Sequence, residues 1–276
     1  MSNEFFSSKR FWNYFRFDLK QLWHQNGKVA LMLGFLSVIC YFIWVAGSLV
    51  FTHSWQAPGL MARCTFFGFG ALILVFFQTR TYGYLTERKS GSAWLMIPAS
   101  TFEKWLSMMI VTILVLPIAY IFSYLTLDGI IALLDPTAGQ PLLSGSSELI
   151  QAGNKAMSAA SEEGVQFNFM ALSMPVVFQV IGNLLYFLLC GLCFKKWKVA
   201  GGIGVLLLVE MLLMPVLSLF FSKNWRPLLD QYGGGNDPEL ITGWVNGVMN
   251  IASGLNIVIA VGLAIAIYFR IKTLKH

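Results

Sequence analysis

The residues able to do chemistry are few, and their placement excludes more than it permits. The three histidines, His24, His53 and His276, all lie outside the apolar runs. No imidazole base is therefore available to a serine or an acyl group within a membrane. Glu162 and Glu163 form an acidic pair, but Gln166 stands where a basic companion would be wanted. Cys190 and Cys193 have C-x-x-C spacing, which in a polar setting would suggest redox or metal chemistry. Here they close an apolar stretch without further ligands, and with Cys40 and Cys64 they read as small hydrophobes packing between helices. No G-x-x-x-x-G-K-[ST] phosphate loop occurs, so the chain is not expected to be an ATPase, nor to bind a cofactor or metal itself. That leaves Glu210, a carboxylate inside an apolar run. Such a group costs a few kcal/mol to insert and turns to a partner or a cavity. A polar link between helices, a place lining a transport path and a proton site all remain open for it.

The elements that must position these residues are apolar and long. Only 12% of the 276 residues are charged, against roughly 25% in a soluble domain, which leaves too few charges to clothe a water-facing surface. A membrane helix needs about 20 mostly apolar residues, and six segments qualify, at about 29–51, 61–78, 105–127, 169–194, 199–222 and 242–269. The sequence thus predicts an all-α membrane protein with six transmembrane helices over 29–271. About 28 polar and aromatic residues precede the first run, too many for a cleavable signal, so that span should persist.

The charges orient the spans. With the N-terminus inside, fifteen of the 19 basic residues face the cytoplasm, and only Arg63, Lys155, Lys223 and Arg226 fall outside. Most acids go the other way, including Asp128, Asp135, Glu148, Asp230 and Glu239. Both termini are therefore expected in the cytoplasm of a multi-pass inner-membrane protein, with 128–168 and 223–241 as the extracytoplasmic loops. Net charge +6 is thereby explained without nucleic acid.

Residues 1–28 differ from the spans. Phe11, Trp12, Phe15, Leu19, Leu22 and Trp23 share one helical face, and Lys9, Arg10, Asn13, Arg16 and Lys20 fall largely opposite. An aromatic, basic amphipathic helix of this kind lies in the headgroup plane. It serves as a surface anchor, or as an elbow that also touches a cytoplasmic partner. The loop 79–104 is short, charged and aromatic, and is fixed at both ends by spans. Ser100 and Glu103 have capping-box spacing at the start of the third span, and Pro98 stops any helix before it. Pro117, Pro175 and Pro215 can kink the third, fourth and fifth spans.

A basic amphipathic helix, two spans, Glu87-Arg88-Lys89-Ser90-Gly91, then Leu95-Met96-Ile97-Pro98-Ala99-Ser100 entering a third span make a recognisable order. It resembles the membrane subunit of ABC type 2 exporters, and is closest to a variant found in permease-like proteins of Bacteroidetes bacteria. The resemblance implies that residues 81–97 form a coupling helix. Tyr84, Glu87, Arg88, Trp94 and Leu95 would then dock on a separate nucleotide-binding subunit that carries the ATP and Mg. It also implies a second membrane subunit with the substrate path between the copies, and allows 214–250 to re-enter the membrane. An ion-coupled secondary transporter would carry more intramembrane charges and related halves; a non-transporting scaffold is the other alternative.

Overall fold

The computed structural model describes residues 6–86, 91, 94, 96–160, 169–224 and 238–273. Glu87, Arg88, Leu95 and the Glu162–Glu163 pair lie outside them. No strand occurs among the described residues. The helices are α1 (Ser8–Gly34), α2 (Leu36–Thr52), α3 (Leu60–Thr81), α4 (Thr101–Ile110), α5 (Leu116–Leu134), α6 (Leu142–Ala160), α7 (Phe169–Cys193), α8 (Lys198–Asn224) and α9 (Pro238–Lys272). Among the described residues, four stretches are long and apolar enough to cross a membrane: Leu60–Thr86, Thr101–Leu134, Met174–Cys193 and Met249–Lys272. A fifth arises if α1 and α2, bent by 46° at Phe35, count as one. The fifth expected segment lies in α8, where much of the side-chain environment falls outside the described residues.

The amphipathic N-terminal segment and the first apolar run are continuous in α1, and the break comes at Phe35 rather than at Lys28. Sequence polarity marks where the chain leaves water. It does not mark where the helix bends, and nothing between Lys28 and Gly34 breaks the ladder. Contacts along α1 climb the third span in the same direction: Arg10 meets Glu103, Asp18 meets Ser107, and Gly34 lies beside Ser123.

Between α4 and α5 the third span widens into a π turn at Val111–Val115. Pro117 sits in the first turn of α5 and has no N–H for the ladder, so the hydrogen bonds shift register just ahead of it. α3 packs tightly against α7 at Gly191. A Cβ there would stand 2.6 Å from the Thr79 carbonyl oxygen.

The contacts also fix which ends of the helices lie together. Arg63 opens α3 and Asp128 stands near the end of α5; their buried side chains pair at 3.1 Å. Arg63 also donates to the carbonyls of Ala138 and Gln140, and Asp128 accepts from the Leu142 N–H. This clamps the start of α6 onto the bundle. At the opposite end Tyr82, Leu85 and Trp94 share one core with Leu22, Leu192 and Ile271. Arg10, Lys104, Lys198 and Arg270 all make contacts at that end. These four cations share one end of the bundle, opposite the Arg63–Asp128 pair.

Candidate functional site

The loop after α3 is held by side chains from three other helices. α3 ends at Thr81, and Gly83–Thr86 turn once as a 3-10 helix, with the Leu85 N–H on the Tyr82 carbonyl and the Thr86 hydroxyl on that of Gly83. Tyr82 and Leu85 are fully buried. The Tyr82 hydroxyl donates to Asp18 Oδ2 at 2.8 Å, and Ser107 from α4 donates to the same oxygen at 2.6 Å. From α8, Lys198 donates to the Gly83 carbonyl at 2.5 Å. The loop is thus tied to α1, α4 and α8 as well as to its own α3.

Trp94 is turned inward and is only 3% exposed. Its Nε1–H donates to the Tyr14 hydroxyl at 2.9 Å, and the Lys104 ammonium lies 4.5 Å from its ring while donating to the Trp94 carbonyl. Trp94 therefore braces the loop against α1 and α4. Lys104 stacks on the ring as a cation on a π face. After Trp94 the chain turns through Pro98, where the Ala99 N–H reaches the Ile97 carbonyl at 2.8 Å. Met96 points out of this turn and is 84% exposed.

At the start of α4 the Ser100 hydroxyl accepts the Glu103 N–H while Glu103 accepts the Ser100 N–H, a reciprocal capping box. The carboxylate does more than cap. Arg10 grips both its oxygens, Nε on Oε2 at 2.8 Å and Nη2 on Oε1 at 2.8 Å, and the Ser7 N–H adds a third donor. Burial pushes the carboxyl upward, but the guanidinium and the backbone donors hold it down at about 2. A cavity of about 450 Å³ remains between α1 and the Pro98 turn, lined by Arg10, Asn13, Tyr14, Phe17, Ile97 and Pro98.

Of the residues marked from sequence, the structure brings Tyr84, Trp94, Ser100 and Glu103 to this junction; Glu87, Arg88 and Leu95 fall outside the described residues. Glu210 is exposed on α8 and belongs to a different part of the molecule. Cys190 is buried, Cys193 is exposed, and both are free; no cluster able to hold a metal occurs among the described residues. Sequence reasoning missed Asp18, Tyr82 and Ser107. One signal was present, since Asp18 lies between Phe15 and Leu22 on the apolar face of α1, where an acid needs a partner. No protein-family model matches the chain, and neither does any curated protein or solved structure.

Proposed function

We propose that this chain is the membrane subunit of an ATP-driven exporter in the inner membrane, with the loop between the second and third spans docking a separate ATPase on the cytoplasmic side. The observation that carries the reading is the anchoring of that loop. A push on the exposed Met96 is passed through the buried Trp94 to α1 by Tyr14 and to α4 by Lys104, and the Tyr82–Asp18–Ser107 contacts join α1 with α4 again. Lys198 extends the connection to α8. A loop braced in this way transmits displacement to several helices instead of absorbing it. Two large apolar side chains stand out from this end, Met96 at 84% exposed and Trp197 at 82%. Trp197 also holds a left-handed backbone (φ 56°), a conformation that bulky residues rarely keep without a reason.

The full reading has six spans, both ends in the cytoplasm, the start of α1 on the cytoplasmic side, and a second membrane subunit. Glu210 supports that second copy. A carboxylate exposed from an apolar helix is disfavoured against lipid, and a protein neighbour or a water-filled path would cover it.

The test is co-purification of the chain with its ATPase. Met96→Glu and Glu87→Ala should weaken the complex about tenfold or more and lower the ATP hydrolysis that the membrane subunit stimulates. Unchanged assembly and hydrolysis in both variants would sink the docking proposal. Transport that survives without ATP but collapses with the proton gradient would favour the secondary-transporter alternative.

A further inference from the structure

Asp18 is the one acid in α1, and it sits ahead of the apolar run that begins at Val29. Its side chain is 1% exposed, and its two described hydrogen-bond donors are hydroxyls: Tyr82 from the loop and Ser107 from α4. Tyr14 on its own helix and Tyr84 from the 3-10 turn also stand within its field. Lys104 is one turn earlier on α4, with its ammonium on the Trp94 carbonyl and ring. Arg10 is engaged by Glu103. Asp18 therefore joins three elements through a carboxyl whose described partners carry no positive charge. A buried carboxylate held by hydroxyls alone is poorly compensated, whereas a neutral carboxyl in the same place is not.

We propose that Asp18 is a proton-operated latch: the neutral carboxyl keeps α1, the loop and the third span closed on one another, and ionisation loosens the junction. The inference does not depend on the exporter reading, because the junction exists within the single chain. Burial lifts the carboxyl to about 6, with the Ser107 and Tyr82 hydroxyls pulling the other way. The sign follows from linkage. The closed state holds the proton more tightly than an opened, hydrated one. Its advantage is complete below the ordinary carboxylate range and is lost as pH rises through about 6.

The experiment is hydrogen exchange of the full chain in nanodiscs, read as protection factors corrected for intrinsic rates, on the peptide covering 79–86. Between about pH 5 and about pH 7.5 protection should fall about tenfold in the native chain and stay flat in Asp18→Asn. Ser107→Ala keeps the carboxyl but removes a donor that lowers its affinity for protons, so the midpoint should move upward. It covers the case in which Asp18→Asn does not fold. Native protection that ignores pH would overturn the latch. So would an equal pH response in Asp18→Asn, or an unmoved midpoint in Ser107→Ala.

Discussion

Arg63 and Glu103 are both charged, buried at least in part, and paired, yet they do different things. Arg63 is 4% exposed and shares its charge with Asp128 and two carbonyls far from the loop. Removing one member of a buried pair leaves the other uncompensated. Arg63→Met should therefore cost about 3–5 kcal/mol, read as a lower unfolding midpoint in detergent. The double variant Arg63→Met with Asp128→Leu should recover much of that loss, and a double variant as unstable as the single one would count against the clamp. Glu103, by contrast, is gripped by a half-exposed arginine at the entry to α4. Its carboxyl is held at about 2, below its ordinary value of 4.5, so its contribution is present above pH 4.5 and is lost as pH falls towards 2. Glu103→Gln should flatten the acid limb of a stability–pH curve between those limits. Gln78 makes the opposite case. It is fully buried and neither amide atom has a partner among the described residues, so Gln78→Leu should raise the unfolding midpoint.

At the scale of elements, close backbone approach decides how tightly the helices pack. α3 and α7 meet where Gly191 faces the Thr79 carbonyl, and that atom belongs to backbone and cannot swing aside. Gly191→Val should separate the two helices at a cost of about 1–3 kcal/mol. Disulfide cross-linking between cysteines placed along α3 and α7 would report the separation, and cross-linking unchanged from the native spacing would show that the helices yield easily there. The loop after α3 depends on the same contact, because Thr79 lies one turn before the 3-10 helix that carries Tyr82 and Leu85. The start of the third span was legible from Ser100 and Glu103 alone, since a capping box is local chemistry. Trp94 was not legible in that way. From sequence it was an aromatic in a charged loop and read as a docking residue, but a tryptophan that finds a hydroxyl for its N–H and a cation for its ring is stable inside. Met96, with no such partners, is the side chain left facing out.

For the whole molecule, named charged side chains gather at two opposite ends of the bundle. Arg10, Lys104, Lys198 and Arg270 gather at the loop end, and Arg63, Asp128 and Asp135 at the other. If the loop end is cytoplasmic, a cysteine at Met96 in a chain otherwise free of cysteine should react with an impermeant maleimide only after the cells are opened. A cysteine at Leu143, which is 69% exposed beside the Arg63 clamp, should react in intact cells. The reverse pattern would invert the topology. Composition and run length by themselves indicated a helical chain with several segments long and apolar enough to cross a bilayer, because the bilayer imposes a length rule that each spanning segment must obey by itself. Tertiary structure alone decided that the first helix runs on past Lys28 to bend at Phe35, that Trp94 faces inward, and that Asp18 meets Tyr82 and Ser107. Those outcomes depend on partners 64 to 89 residues away in the chain, and no local spacing encodes such encounters.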